Sequence, residues 1–274
     1  MITLSKPYPS DVLSETQLDL LATQLPAPHA GTGRPAYTNR ELLPGILRVL
    51  RGGMRWRDLT LPGYPDGVTH WRRLRFWMKR KGYIRVWRVL LRLLYKQKHY
   101  KKELLSLDGS VIESFAFKDT TGYSGYKHKM GTKISTVANK TGIPLAVVIA
   151  KGNIVDISLA APTLAQIQLP RSYIRGGELL ADAGYDSRIF RQTVVHYTLV
   201  PFIPRRKRGK IKQKYQLLYL TNIPLQKKRF VIERTNAWLK NFRRLRMRFD
   251  YTLLSFIAFV YLAILVICVR RLIE

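Results

Sequence analysis

Three acidic residues sit where acids are costly. Asp108 closes the apolar run LLSLDGS, Asp182 follows the apolar ELLA in LLADAGYDS, and Glu233 lies in the strongly basic segment RFVIERTNAWLKNFRR. A carboxylate at the end of a buried strand is expensive to desolvate unless it is paired, protonated or bound to a metal. Carboxylates from two strand ends and one helix can hold two Mg²⁺ ions roughly 3.5–4 Å apart, one activating an attacking oxygen and the other steadying a leaving oxygen. That is phosphodiester chemistry without a covalent protein intermediate. On the last segment, Gln226, Arg229, Glu233, Ala237, Lys240 and Arg244 recur at three- and four-residue steps and share one helix face. A glutamate between Arg229 and Lys240 suits a site that meets both metal and phosphate. Taken singly, each acid has a plainer reading. Glu233 can be a surface ion pair with Arg229 or Lys240, and Asp108-Gly109-Ser110 is good turn chemistry.

The elements that would position these acids change character along the chain. Before residue 104 the pattern is helical, over residues 16–25, 40–51, 68–81 and 86–94. Thr38 or Asn39 can cap the second helix and Gly52-Gly53 can stop it, while Pro44 would kink it. In the third, Trp71, Leu74 and Met78 share a side, with Arg72, Arg73, Arg75, Lys79 and Arg80 mostly elsewhere. From residue 104 the pattern is α/β. Strands are predicted at 104–110, 133–138, 144–150, 178–181 and 199–203, with helices at 157–169 and 187–196 between the later ones. Asn139-Lys-Thr-Gly142 is a hairpin signal, Asp156 can cap the helix after it, and Asp186 the helix from Ser187. Three antiparallel strands followed by alternating helix and strand is the order of an RNase-H-like fold, a mixed sheet flanked by helices. The predicted division is a helical domain at 1–103 and a catalytic domain at 104–274 carrying a basic loop at 204–224.

Charge says what such a protein meets. The 274 residues hold 48 Lys and Arg against 17 Asp and Glu, a net charge of +31. The excess lies at the ends, +13 over residues 1–103 and +15 over 205–274, against +3 between them. Such a field attracts polyanions. Short helices, a tight turn and an Arg-dense last helix suit a helix-turn-helix, in which Arg72, Arg73 and Arg75 could read a major groove or only touch phosphates. Arg205, Arg206, Lys207 and Arg208 in the basic loop, Lys127, Lys129 and Lys133 beside the first Asp strand, and Arg243 and Arg244 after Glu233 are further candidate DNA contacts, with Arg229 and Lys240.

These segments together resemble bacterial insertion-sequence transposases of the DDE class, of the insertion-sequence-five type within the four/five superfamily. GRPAYTNRELLPGILRVLRGGMRWRDL resembles the family's N-terminal helical module. LSLDGS and LLADAGYDS resemble its two Asp strands, GTKISTVANKTGIPLAVVIAKGNIVD its hairpin, and RFVIERTNAWLKNFRRLRMRFD its glutamate helix. The resemblance implies that Asp108, Asp182 and Glu233 are the catalytic, metal-binding triad. The family's Tyr, Arg, Glu, Lys pattern on the last helix reads here Gln226, Arg229, Glu233, Lys240. A DNA transposase is then expected: it binds the terminal inverted repeats of its element and cleaves the ends. It then joins 3′-hydroxyls to target DNA with two Mg²⁺ ions, for which Mn²⁺ substitutes. Its partners are double-stranded DNA and a second copy of itself.

Other classes are bounded by what the sequence holds. One cysteine, Cys268, excludes an internal disulfide and a cysteine-based zinc or iron–sulfur site. No His-x-His pair argues for a single-strand relaxase, and nothing resembles a Walker loop, so no ATP is expected. The N-terminus has no signal-peptide pattern, which points to a cytoplasmic, nucleoid-associated protein. Residues 251–269 are an uncharged run long enough to span a membrane; two Ser/Thr interruptions and the resemblance across it favour a core helix packed on the sheet. A basic membrane-anchored protein and a catalytically inactive or domesticated DNA-binding derivative are the alternatives.

Overall fold

The computed structural model describes residues 12–28, 36–60, 65–98, 103–115, 117, 120–125, 127–205 and 227–273. In chain order these form helices α1 (Glu15–Gln24), α2 (Asn39–Gly52), α3 (Gly67–Lys79) and α4 (Gly82–Lys98), then strands β1 (Leu104–Ser114), β2 (Gly122–Ser124), β3 (Lys129–Asn139) and β4 (Pro144–Lys151). There follow α5 (Asp156–Ala165), the one-turn α6 (Arg171–Ile174), β5 (Glu178–Leu180), α7 (Arg188–His196), β6 (Val200–Phe202), α8 (Phe230–Asn241), the one-turn α9 (Arg243–Arg246), β7 (Met247–Arg248) and α10 (Leu253–Leu272). Two compact units result. One joins Met1–Leu94 to Leu239–Glu274, and the other is Tyr95–Trp238.

The helical unit is built from capped, amphipathic pieces. Ser14 with Gln17 and Thr38 with Glu41 form reciprocal capping boxes that open α1 and α2. Gly53, in the left-handed conformation at φ 71°, closes α2. Helix α2 runs through Pro44 and buries Leu42, Leu43, Ile46, Leu47, Val49 and Leu50. On α3 the buried stripe is His70, Arg73, Leu74 and Trp77. It is turned by one residue from the Trp71, Leu74, Met78 face that the sequence suggested, and it carries an arginine inside. Gly45 lets α2 approach α3, because a Cβ there would collide with the His70 imidazole.

Helix α10, which the sequence reading takes as a core helix, belongs to this unit. It contacts α1 and α3, and 72% of its most apolar stretch, of mean hydropathy 2.6, is buried inside the chain. Phe256, Phe259, Ala263, Leu265 and Cys268 are fully enclosed, while Arg270 stays exposed and its guanidinium donates to the Val12 carbonyl at 2.6 and 2.9 Å.

The second unit is a mixed sheet. β3 pairs antiparallel with β1 from Leu105↔Asn139 to Glu113↔Gly131, and its other edge carries β2 and then β4. β5 runs parallel to β1, and β6 parallel to β5. The order across the unit is therefore β4, β3, β1, β5, β6, the RNase-H-like topology, and α5 packs on β1, β3 and β4. The β3–β4 turn is fixed by Asn139, whose Oδ1 accepts from the Thr141 and Ile143 amides at 3.1 and 2.9 Å, with Gly142 at φ 88°. Two predicted caps do other work. Val155, not Asp156, is the N-cap of α5, and Asp186 binds the buried Arg191 at 2.8 Å instead of capping α7.

Candidate active site

Asp108 lies midway along β1, opposite Thr136 on β3. Burial pushes its carboxyl up to about 6; the neighbouring charges of Asp182 and Asp156 add to this, while the Gly109 amide and Arg229 pull against it. Its Oδ2 accepts from Asn236 Nδ2 at 3.2 Å. Asn236 is one turn beyond Glu233 on α8, so that helix is laid against the Asp108 strand. Asp182 follows β5, the strand parallel to β1, and its Oδ1 caps the turn Ala183–Tyr185 by accepting from the Gly184 amide at 2.7 Å. The structure thus brings Asp108 and Asp182 into one electrostatic neighbourhood, with Arg229 as its cation.

Glu233 behaves differently. Its carboxylate is 60% exposed and paired with Arg229 at 3.1 Å, the surface ion pair that the residue pattern allowed. Arg229 is the link, because its charge is also felt at Asp108 and at Tyr185. Among the described residues no group of three or more His, Cys, Asp and Glu side chains is arranged to hold a metal ion. The donors nevertheless fit a hard divalent cation. Asp108 and Asp182 offer carboxylate oxygen at a site short of positive charge, and Mg²⁺ is commonly held by one or two carboxylates together with water and phosphate. The buried Tyr185 hydroxyl, which has no hydrogen-bond partner among the described residues, sits in the same neighbourhood.

The sequence missed two participants here. Asn236 carries a signal in hindsight, since it lies at Glu233 plus three on the same helix face. Asp156 looked like a cap, yet its Oδ1 occupies the space where Gly109 would carry a Cβ.

The candidate DNA contacts sort by exposure. Arg72, Lys127, Lys129 and Arg243 are exposed, and Lys129 pairs with Glu113 at 2.7 Å. Arg75 stacks on Trp71 at 4.6 Å, and Arg205, Arg229 and Lys240 are half-buried. Three are interior. Arg73 donates to Asn39 Oδ1 at 2.7 Å and to the Tyr37 carbonyl at 2.5 Å. Arg244 is paired with Asp250 at 2.9 Å and donates to the Met54 carbonyl at 3.1 Å. Lys133 is paired with Asp156 at 2.9 Å. These three side chains are buried and bonded within the protein. Arg206, Lys207, Arg208 and Gln226 lie outside the described residues, as does most of the basic loop.

A mixed sheet of this order, with one acid on its central strand and a second just after the neighbouring strand, defines an RNase-H-like domain. Residues 99–268 match the family model described as "Transposase DDE domain", and residues 13–91 match that described as "Putative transposase of IS4/5 family". The chain belongs to the IS4/5-type DDE transposase family. It is similar to the Burkholderia cepacia protein named "Putative transposase for insertion sequence element IS402", 33% identical over half of this chain and 63% of that relative. It also resembles that organism's "Insertion element IS402 uncharacterized 16.2 kDa protein", 36% identical over 40% of this chain and 76% of the relative. The chain spans less than two thirds of the first relative's length. No solved structure matches it.

Proposed function

We propose that this protein is a DNA strand transferase that binds the terminal inverted repeats of an insertion sequence, cuts at their ends and joins the exposed 3′-hydroxyls to target DNA. The observation that carries this reading is the Asp108 carboxyl, held high by burial beside the charges of Asp182 and Asp156 and met by a single side-chain amide. A half-buried acid so placed favours a cation or a proton, and perturbed acids cluster at functional sites. Asp108 and Asp182 would hold the divalent ions, two Mg²⁺ or Mn²⁺, with Glu233 completing the set once its pairing with Arg229 opens. Bound there, the ions supply Lewis acidity to the attacking and leaving oxygens.

The chain's own groups do the rest. Arg229, within reach of both Glu233 and Asp108, offers a guanidinium to a phosphate that would otherwise meet only acids. Asn236 fixes the rotamer of Asp108. Exposed Arg72, Lys127, Lys129 and Arg243 supply phosphate contacts, and the protein works as a soluble dimer on double-stranded DNA near the nucleoid, without ATP. The burial of α10 in the helical unit favours this over a membrane anchor, and the presence of all three acids favours an active enzyme over an inert derivative.

The test is cleavage of DNA bearing the element's ends, with Mg²⁺ or Mn²⁺, followed by strand joining. Asp108→Asn, Asp182→Asn and Glu233→Gln should each lower both steps by on the order of 10³-fold or more and leave end binding within a few-fold. Normal cleavage by any of the three would remove that residue from the site.

A further inference from the structure

Behind Asp108 lies a second charged pair that the proposed chemistry does not use. Lys133 sits on β3 with its side chain only 9% exposed. Its ammonium donates to the Ile154 carbonyl at 2.7 Å and reaches Asp156 Oδ1 at 2.9 Å. That same oxygen presses on Gly109, the residue after Asp108, so closely that any Cβ there would collide with it. The Tyr185 hydroxyl is 3.6 Å from the same point. Lys133, Asp156 and Asp182 also line one cavity of about 480 Å³, with Asn153 and Gly184 on its wall. Asp156 is near enough for its charge to be felt at Asp108. Two opposite charges are therefore locked together beside the two acids.

We propose that the Lys133–Asp156 pair is a charge-setting, positioning unit of the acidic site. Asp156 adds negative charge and buttresses the β1 backbone at Gly109, and the buried Lys133 ammonium caps how strongly the site draws a divalent cation. The inference rests on the reading of Asp108 and Asp182 as the cation ligands. The physical reason is simple. Lys133 is shielded from water while the Asp156 side chain is 44% exposed, so Lys133 is the less screened of the two; a fixed cation a few ångströms from the site lowers its affinity for a second cation, and a fixed anion raises it. The two members of the pair must then act with opposite sign. A pair that merely held the fold together would act with the same sign, because removing either member would loosen the site.

The experiment is calorimetric titration of the full-length protein with Mn²⁺ at pH 8, without DNA. Lys133→Gln, which can still donate to the Ile154 carbonyl but carries no charge, should tighten Mn²⁺ binding by on the order of 3–10-fold. Asp156→Asn should weaken it by a similar factor, and the double variant should return to within about twofold of wild type. Lys133→Met serves if the Gln variant does not fold, since it keeps the volume of the stem. Weakening by both single variants, or no change in either, overturns the proposal. Asp108→Asn and Asp182→Asn provide the separate arm. If Mn²⁺ binds them as it does wild type, the reading of the acids as ligands falls, and the inference falls with it. If they abolish binding while Lys133→Gln weakens it, only the inference falls.

Discussion

Both units enclose cations that are paired within the protein, but they differ in how their acids are supplied. In the helical unit the buried charges are arginines, and each meets oxygen on several sides. Arg244 makes a two-pronged contact with Asp250 and stacks on Phe259; Arg248 donates to the carbonyls of Asp250 and Tyr251 over Phe256; Arg73 is spent on Asn39 and Tyr37. In the sheet unit Arg191 is likewise paired, with Asp186, but two acids, the buried Glu103 and the half-buried Asp108, are short of cations. Burial pushes Glu103 up to about 7 against the pull of Lys140 and the Tyr95 hydroxyl, and Asp108 up to about 6 with two more acids beside it. A satisfied buried charge marks a joint of the scaffold, whereas an undersupplied one marks a place prepared for something else. In a chain carrying +31, a shortage of positive charge at one spot reflects placement, not composition.

The sharpest way to break this contrast is to remove a satisfied cation. Arg244→Met leaves the Asp250 carboxylate, 4% exposed, without its partner, and should cost about 3–5 kcal/mol of stability. Urea denaturation of the purified protein measures it, and a loss under 1 kcal/mol would show the pair to be dispensable.

The acid should respond the other way. Asp108 has a folded-state pKa raised from 3.8 to about 6, so its stabilising contribution is fully present below about pH 3.8 and is lost as the pH rises through about 6. Without divalent cations, Asp108→Asn should therefore be more stable than wild type by up to about 2–3 kcal/mol at pH 7–8. The two proteins should converge near pH 4. Thermal melts across pH 4–8 in chelator read this difference directly, and a variant less stable than wild type at pH 8 would sink the account of Asp108.

The smallest effect separates neighbours on one helix. Arg73→Met should lose about 1–3 kcal/mol of stability by removing the buried hydrogen bonds to Asn39 Oδ1 and the Tyr37 carbonyl. Arg72→Ala, at an exposed position, should change stability by less than about 0.5 kcal/mol. If α3 enters DNA, Arg72→Ala should instead weaken end binding by about 1–3 kcal/mol. Melting and binding titrations of the two variants side by side give a crossed pattern, and parallel losses would mean that neither arginine has the role its burial suggests.

Much of this architecture was legible because its elements carry local signals. The acids at Asp108 and Asp182 were visible as breaks in apolar runs, although β1 continues past Asp108 to Ser114; the β3–β4 hairpin was written in Asn139–Gly142, and α2 announced itself through Thr38 and Gly53. What stayed hidden depends on residues far apart in sequence. That Arg73 is interior follows from Asn39 on another helix, and nothing in the spacing of VTHWRRLRFWMKRK distinguishes it from Arg72. Arg244 looked like one more basic residue on a basic face until Asp250 folded back on it. Asp156 was hidden for a subtler reason. An acid at a helix start has a ready local explanation, and its contact with Gly109 exists only once α5 is laid across β1. The pairing of Glu233 with Arg229 was among the readings open from the start, being a four-residue step on one helix.

The helical unit is discontinuous, and this bears on how the chain is made. Helices α1–α3 leave the ribosome early, yet the apolar partner that closes their core, α10, is translated only after all of Tyr95–Trp238. Until α10 is made, the earlier helices hold apolar residues such as Leu18, Leu21 and Trp77 with their core incomplete, a state prone to chaperone capture. A ribosome that stops before Leu253 would release Asp108, Asp182 and Glu233 attached to an unclosed helical unit. Closure of the helical unit thus waits on synthesis of α10.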